Sequence, residues 1–269
     1  MNNITEPRRT VLVTGGLQGI GRAIAEAFAK TGADVALLDI DGSVHEAAQE
    51  IQKSAGSRAV GCRADVTSEE QIERAVTEVN ERLGRIDVLV NNAGIVGRRA
   101  LSWDGSTDDW MRTIDVNLVG TYRVSKAVLP QMVAAASGRV INISSISGKQ
   151  GSTGNSAYSA SKHAVIGLTR TLARELALLG LHGITANAIC PGVVDTPLVH
   201  GEGQLLDGIS ALTGQTREAV LEQHVLSQSL QHRLLDPEEV AGMAVYLASD
   251  LARGITGQAI NVDAGSVFH

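Results

Sequence analysis

One tyrosine carries the clearest chemical signal in this sequence. Tyr158 is one of three tyrosines in the 269-residue chain, and Lys162 follows it four positions later. On a helix, side chains at i and i+4 share a face, and a nearby ammonium favours the phenolate and lowers the phenol's pKa. The pair therefore predicts a proton donor and acceptor that works near neutral pH, although the spacing alone also arises by chance.

A glycine-rich turn near the start of the chain is the second signal. Gly15, Gly19 and Gly21 lie between an apolar run and a segment with helical periodicity. Glycines in this context let the backbone approach a pyrophosphate, and the helix N-terminus supplies amides and a partial positive charge. The turn predicts a dinucleotide site, with an ordinary strand-to-helix turn as the alternative.

The end of the second apolar run bears on which dinucleotide binds. A carboxylate at Asp39 can accept hydrogen bonds from both ribose hydroxyls of an adenosine and would repel a 2′-phosphate. Gln18, inside the glycine turn, offers such a phosphate no cation. Both residues favour NAD over NADP. Arg22 and Arg63 are cations nearby in sequence, however, and Asp39 is also explained as a turn or N-cap residue.

Alternating apolar runs and helical periods predict the scaffold that positions these residues. The runs are nearly continuous, which is typical of strands buried on both faces of a parallel sheet. The order predicts an α/β, single-domain, doubly wound Rossmann fold with about seven parallel strands and helices on both faces. We expect the strands at 10–15, 34–39, 58–65, 86–92, 138–144, 184–189 and 258–263.

Helix boundaries are also marked in the sequence. Segments 20–32, 67–84 and 236–250 have helical periodicity. Ser68 and Asp236 are start signals, and glycines 32 and 84 are stop signals.

Residues 198–235 break the alternating rhythm. We expect one or two helices that form a substrate lid within a single catalytic domain spanning 1–269. A packing insertion without a role in binding is the alternative.

Composition narrows the class of function. The net charge is −6, and no block of Lys and Arg indicates a nucleic-acid partner. No apolar run is long enough for a membrane span, and the polar first ten residues do not resemble a signal peptide. Cys62 and Cys190 predict reduced, buried thiols in a cytoplasmic protein, and no metal-ligand spacing occurs.

Seven motifs in order resemble the short-chain dehydrogenase/reductase family over nearly the whole chain. Together they are far more specific than any one of them. They are "TGGLQGIG" (14–21), "DV" (65–66), "NNAG" (91–94), Asn117 in "DVNLVG", "NISS" (142–145), "YSASK" (158–162) and "PGVVDTP" (191–197).

The resemblance implies a catalytic tetrad of Asn117, Ser145, Tyr158 and Lys162. The family's serine lies thirteen residues before the tyrosine, which selects Ser145 over Ser144; adjacent strand residues also face opposite ways. Ser145 would hold the substrate oxygen against Tyr158, and Lys162 would reach the nicotinamide ribose. Asn117 would bend its helix and hold a water that links Lys162 to solvent.

The resemblance also implies contacts with a bound NAD. Asp65 and Val66 would meet the adenine, small residues after the fourth strand would pass the ribose, and Val194 and Thr196 would reach the nicotinamide end. The full expected set is Gly15, Leu17, Gln18, Gly19, Ile20, Gly21, Asp39, Ile40, Asp65, Val66, Asn91, Ala93, Gly94, Tyr158, Lys162, Pro191, Gly192, Val194 and Thr196.

The substrate is predicted less sharply. "GITANAICPG" and "TPLV" resemble the 3-hydroxybutyrate dehydrogenase branch, but residues of other types stand where that branch grips a carboxylate, which disfavours a simple 3-hydroxy acid. Polar candidates suit a sugar, a polyol or another polar hydroxy compound. Arg98 and Arg99 could meet an anionic group, although paired surface arginines are usually solvated. The candidate lining is Val96, Arg98, Ser147, Gln150, Asn155, Val193 and Glu202.

Three functions compete on this sequence. The first is hydride transfer between NAD and a small secondary alcohol or ketone. The second is reduction of 3-oxoacyl groups on a carrier, which usually uses NADPH, and Asp39 speaks against it. The third is a non-catalytic nucleotide-binding regulator, which the complete tetrad disfavours. The resemblance further implies a homotetramer or dimer that pairs helices 118–136 and 156–180.

Overall fold

The structure, a computed structural model, describes residues 8–269. Most of the polar N-terminal segment discussed above, and the start of the expected 1–269 domain, therefore lie outside the described residues. The strands are β1 (Thr10–Thr14), β2 (Asp34–Asp39), β3 (Ala59–Arg63), β4 (Ile86–Asn91), β5 (Gly138–Ile143), β6 (Ile184–Pro191) and β7 (Ala259–Val262). The helices are α1 (Gly19–Lys30), α2 (Val44–Ala55), α3 (Glu69–Leu83), α4 (Thr107–Ile114), α5 (Gly120–Ala134), α6 (Ser156–Leu178), α7 (Pro197–His200), α8 (Leu205–Thr213), α9 (Arg217–Val220) and α10 (Pro237–Ala248).

The seven strands form one parallel sheet in the order β3-β2-β1-β4-β5-β6-β7. Each expected strand is present within two residues of its predicted ends. The β1, β4, β5 and β6 strands are buried almost throughout, because helices cover both faces. The predicted single-domain Rossmann fold is confirmed.

Two apolar layers hold the sheet in place. On one face α1, α2 and α10 pack against the strands through residues such as Ile24, Ile51 and Leu247. On the other face α3, α5 and α6 do so, with Val128 and Leu172 among the buried contacts. In the described part of the chain, no helix combines the length and apolar character needed to cross a membrane.

The predicted helix starts at Ser68 and Asp236 are confirmed. The Ser68 side chain accepts a hydrogen bond from the Gln71 amide, and Asp236 forms a capping box with Glu239, which satisfies otherwise unpaired amides. The first helix ends earlier than expected, at Lys30. Its predicted stop signal, glycine 32, lies beyond the cap with φ of +88°.

The segment between β6 and α10 is more divided than the one or two helices expected. The three short helices α7, α8 and α9 lead into a π-helical turn at Leu221–Val225 and a 3-10 turn at Leu226–Gln228. Glycine ends α8 at Gly214 in the left-handed conformation, with φ of +72°. The segment has its own small apolar cluster of Val199, Leu206, Val220 and Val225.

The centre of the sheet is a topological switch point. The chain leaves β1 towards one edge and β4 towards the other, so a crevice opens at their carboxyl ends, where ligands of such sheets bind.

Candidate active site

A cavity of about 360 Å³ opens at the carboxyl ends of the strands. Its walls come from the segments after β1, β4, β5 and β6, from α6, and from the 197–228 region. The fold therefore gathers the residues that stand far apart in the sequence.

The glycine turn after β1 cannot tolerate side chains. Gly15 and Gly19 have φ of +62° and +57°, and a Cβ on Gly21 would lie 2.1 Å from the Gly15 carbonyl oxygen. The N-cap residue Gln18 makes no side-chain capping bond, and the first turn of α1 has no acidic residue. These features fit a pyrophosphate at the first turn.

Asn92 holds this turn from the neighbouring strand. Its Nδ2 donates to the carbonyl oxygens of Thr14 and Gly15, each at 3.0 Å. The preceding Asn91 instead donates to Ser125 Oγ in the interior, so only its backbone is available to a ligand. Sequence reasoning missed Asn92, although a polar residue directly after a buried strand was a usable signal.

The carboxylate at the end of β2 is oriented by backbone amides. Asp39 accepts hydrogen bonds from the amides of Leu17 and Asp41, each at 3.2 Å. Beside it, Ile40 is 61% exposed, and Gln18 is exposed in the glycine turn. The Asp39 carboxylate therefore has its orientation set by two backbone amides, and its contact with a ribose stays a prediction.

The expected adenine contacts lie after β3. Asp65 accepts a hydrogen bond from the Thr67 amide at 2.8 Å. Val66 is buried, and a Cβ on Gly120 of α5 would lie 2.8 Å from its Cγ2. The Val66 side chain thus belongs to the core, which leaves its backbone to meet a base.

The α6 helix presents Tyr158 and Lys162 on one face. The Lys162 Nζ lies 5.6 Å from the centroid of the Tyr158 ring and donates to the Ile143 carbonyl oxygen at 2.8 Å. Lys162 is buried. The ammonium is therefore anchored to the end of β5.

The two adjacent serines after β5 have different partners. Ser144 Oγ donates to the Lys162 carbonyl oxygen at 2.9 Å and so ties the strand to α6. Ser145 Oγ accepts the Ser147 amide at 3.1 Å and interacts with the Tyr158 phenol. Ser145 is thus the serine associated with the tyrosine.

Asn117 braces the loop after β4. It lies in a π-helical turn at Asp115–Val119, which is the helix distortion expected from the sequence. Its Oδ1 accepts the Ile95 amide at 2.8 Å, and its Nδ2 donates to the Ile95 carbonyl and to Ser161 Oγ. These bonds occupy the side chain, so the water link to Lys162 stays a prediction.

Burial shifts the pKa values of both Tyr158 and Lys162. Burial raises the pKa of Tyr158, and the nearby Ser145 hydroxyl and Arg99 guanidinium oppose that rise. Burial also lowers the pKa of Lys162 to about 8. The expectation that Lys162 lowers the Tyr158 pKa stays a prediction, because burial dominates the shift and the ammonium donates its hydrogen bond to the Ile143 carbonyl oxygen.

The segment after β6 closes over the glycine turn. A Cβ on Gly192 would lie 2.9 Å from Asp263 Cα, so this turn packs tightly on the segment after β7. Val194 is buried. A Cβ on Gly19 would lie 3.3 Å from Thr196 Cγ2, which puts Thr196 beside the expected pyrophosphate site. Gly94 similarly lies over the tetrad, since its Cβ would be 3.5 Å from the Lys162 Nζ.

Five of the seven substrate candidates line the cavity: Val96, Ser147, Gln150, Asn155 and Val193. Arg98 and Glu202 do not; both are exposed, and their place in the predicted pocket is corrected here. Arg99 turns towards the cavity instead of Arg98, and Glu202 sits in the turn between α7 and α8.

The 197–228 region supplies nine further residues of the cavity wall. Sequence reasoning had identified the segment but not the contacts, since its short helices gave no clear register. The contributed residues are Leu198, Val199, Leu205, Ile209, Leu212, Thr213, His224, Val225 and Gln228.

Comparison with known proteins agrees with this geometry. A family model described as enoyl-(acyl carrier protein) reductase matches residues 15–267. A short-chain dehydrogenase/reductase from Armillaria gallica is 41% identical, with 97% of this chain and 96% of that protein covered. The 3-oxoacyl-[acyl-carrier-protein] reductase FabG of Vibrio harveyi is 39% identical, with 96% of each chain covered.

The structural comparison leads to the same family. An actinorhodin polyketide ketoreductase crystallised with NADPH superposes with a TM-score of 0.89 at 36% identity, covering 97% of this chain and 98% of the other. Its fold, the family model and the sequence relatives agree over almost all described residues. The protein is an oxidoreductase that belongs to the short-chain dehydrogenase/reductase family.

Proposed function

We propose that the protein is an NAD-dependent oxidoreductase that interconverts secondary alcohols and ketones. The observation that carries the proposal is the grouping of Ser145, Tyr158 and Lys162 on the wall of one cavity. That cavity adjoins the glycine turn, whose backbone fits a pyrophosphate. A bound nicotinamide supplies or accepts the hydride.

The protein's own residues manage the substrate oxygen and its proton. Ser145 donates a hydrogen bond to that oxygen and holds it beside Tyr158. In reduction, the Tyr158 hydroxyl gives its proton to the oxygen as the carbon receives hydride; in oxidation, the phenolate takes the alcohol proton. Lys162, whose Nζ lies 5.6 Å from the ring centroid, and Arg99, which opposes the rise in the Tyr158 pKa, are the cations that stabilise the phenolate.

The NAD preference is supported by charges around the second strand. Asp39 faces the expected ribose position with a carboxylate fixed by two amides. Arg22 is engaged by Glu26 and Glu50, which diverts it from a 2′-phosphate. Steady-state rates with NADH and NADPH and one ketone test this, and equal kcat/KM values would contradict it.

The cavity favours a substrate with an apolar body and a few polar groups. Aliphatic side chains from the 197–228 region, including Leu198, Ile209 and Leu212, form much of its wall. Ser147 and Gln150 add hydrogen-bonding groups to the lining of the same cavity. A fully hydroxylated sugar or polyol would place hydroxyl groups against apolar surface without hydrogen bonds, which is unfavourable. Among the substrates expected from the sequence, we therefore favour another polar hydroxy compound over a sugar or polyol.

Reduction of 3-oxoacyl groups is a second candidate, because FabG of Vibrio harveyi is among the relatives. A 3-oxoacyl thioester assayed beside simple ketones, with NADH and NADPH, separates the two. Efficient turnover of the thioester with NADPH would replace the first proposal.

We also propose a cytoplasmic homotetramer or dimer of a single domain, in which the 198–235 segment acts as a lid. The two buried free thiols, Cys62 and Cys190, suit a reducing compartment. Exposed apolar side chains on α5 and just after α6, such as Tyr122 and Leu179, suit a pairing face. Light scattering tests the assembly, and a monomer mass would refute it.

A further inference from the structure

Two adjacent arginines have different environments. Arg98 is exposed, whereas Arg99 lines the cavity that also contains Tyr158. An Arg99 terminal nitrogen donates to the Thr153 carbonyl oxygen at 2.7 Å, and its Nε is buried without a hydrogen-bond partner. Among residues 8–269, no carboxylate forms an ion pair with Arg99.

The cavity around Arg99 carries positive charge in an acidic protein. The chain has a net charge of −6, yet the residues that line the cavity shared with Tyr158 include Arg99 and Lys162 and neither Asp nor Glu. Arg99 and Asn155 also border a neighbouring cleft, which contains Asp104 and Asp109. Arg99 is half-buried. Partly withdrawing a cation from water without a counter-charge is unfavourable, and this desolvation lowers the Arg99 pKa. A site of this kind is stabilised when its ligand brings the negative charge.

Asn155 is an independent indication at the same wall. It is 4% exposed, it lines the cavity, and its Nδ2 has no hydrogen-bond partner. The Ala100 amide donates to the Gly154 carbonyl oxygen at 3.0 Å, which ties the segment of Arg99 to that of Asn155. The two unpaired donors, Arg99 Nε and Asn155 Nδ2, therefore belong to segments that are joined by a backbone hydrogen bond.

Helix α8 has a glycine, Gly208, where it contacts the Arg99 side chain. A Cβ on Gly208 would lie 2.7 Å from Arg99 Cδ and 3.0 Å from its Cγ. Glycine is a poor helix former, but here it lets the helix backbone pack against the arginine stem. The guanidinium is therefore fixed from the lid side as well as by Thr153.

We propose that Arg99, with Asn155, forms a subsite for a carboxylate of the substrate. The substrate is then an oxo acid, or the corresponding hydroxy acid, whose carbonyl meets Tyr158 while its carboxylate meets Arg99. A carboxylate can accept from both donors, and arginine binds planar oxygen pairs strongly. This inference rests on the proposed alcohol–ketone chemistry and names the substrate class for it.

Matched substrates test the subsite. Pyruvate, acetoacetate and levulinate vary the distance from carbonyl to carboxylate, and their primary amides remove the charge at nearly constant shape. The wild type is compared with Arg99→Gln, Arg99→Lys and the exposed neighbour Arg98→Gln by NADH oxidation. We expect the wild type to prefer at least one acid over its amide by about tenfold or more in kcat/KM.

The variants separate the subsite from the chemistry. Arg99→Gln should abolish the acid preference, so that the ratio of kcat/KM for the acid and for its amide falls to about one; Arg99→Lys should restore part of the preference, and Arg98→Gln should keep it. Turnover of amides and acids alike, unchanged in Arg99→Gln, would overturn the carboxylate subsite and leave the proposed function intact.

A binding experiment covers the case in which no ketone in the panel is turned over. Calorimetric titration of the NAD-saturated enzyme with levulinate and levulinamide needs no catalysis. Tighter binding of the acid that is lost in Arg99→Gln supports the subsite even if the proposed reaction fails. Equal affinities, or an acid preference that survives Arg99→Gln, would refute it.

Discussion

The carboxyl edge of the sheet and the 197–228 region are built differently. At the edge, Asn117, Ser144 and Lys162 are buried and bonded to backbone atoms of neighbouring elements. The 197–228 region consists of short helices around a cluster of four buried aliphatic residues, and it meets the cavity through side chains. Under the proposed function, the edge would carry the reaction and the 197–228 region would select the substrate.

The difference explains how one scaffold can serve many substrates. Substitutions in the 197–228 region should leave the hydrogen bonds around Lys162 untouched, because none of these bonds involves a residue of that region. The four predictions that follow challenge this division, beginning with the largest expected effect.

Removing the phenol oxygen should affect every substrate. Tyr158→Phe keeps the ring and removes the proton carrier, so we expect kcat/KM to fall by about a thousandfold for acids and amides alike. NADH affinity measured by fluorescence should stay nearly unchanged. Tyr246→Phe, at a partly exposed tyrosine on α10, is the matched control. Loss confined to one substrate would mean that the edge also selects.

The end of β2 should control the cofactor and not the substrate. In Asp39→Ala, the preference for NADH over NADPH should drop by about tenfold or more. The variant could no longer accept hydrogen bonds from the two ribose hydroxyls of NADH, and it would no longer repel the 2′-phosphate of NADPH. The acid-to-amide ratio should not change. Asp41→Ala, two residues later on the exposed loop, is the control. A cofactor preference unaltered by Asp39→Ala would remove the basis for the NAD assignment.

Burial of the lysine predicts a pH-dependent stability. The Lys162 pKa is about 8, below its ordinary value of 10.5, so between these values the unfolded state binds more protons than the folded state. The free energy of unfolding should therefore rise with pH for the wild type relative to Lys162→Met, by about 1 kcal/mol per pH unit. Urea unfolding from about pH 8 to 9.5 measures this difference. A flat difference would show that the ammonium is not desolvated.

Two glycine replacements compare the stability of α10, which packs on the sheet, with that of α8 in the 197–228 region. A Cβ on Gly242, in α10, meets nothing within 4 Å, so Gly242→Ala should raise the free energy of unfolding by about 0.5–1 kcal/mol. Gly208→Ala should gain nothing, since its methyl would lie 2.7 Å from Arg99 Cδ, and it should lower the acid preference. Equal stabilisation by both would show that Arg99 moves aside freely.

The fold and the grouping of the candidate catalytic residues were predictable, because apolar runs and helical spacing are local signals. Continuous apolar runs predicted every strand, and the spacing from Tyr158 to Lys162 follows from one helix. The family resemblance implied roles for Ser145 and Asn117. In the structure Ser145 lines the cavity, and Asn117 lies in the π-helical turn that braces the loop after β4.

The remaining features depend on long-range packing that the sequence does not display. Nothing local separates Arg98 from Arg99; their environments are decided by Thr153 and by the close approach of α8 at Gly208. The Lys162 pKa likewise depends on burial and on the Ile143 carbonyl at the end of another element.

The division between reaction and substrate selection is tested most directly by measuring kcat/KM for an oxo acid and for its amide. The wild type, Tyr158→Phe and Arg99→Gln are measured side by side with NADH. We predict that Tyr158→Phe lowers both values by a similar factor, while Arg99→Gln lowers the value for the acid by about tenfold more than the value for the amide. A Tyr158→Phe enzyme that keeps near-normal turnover, or an Arg99→Gln enzyme that loses acid and amide equally, would contradict the account.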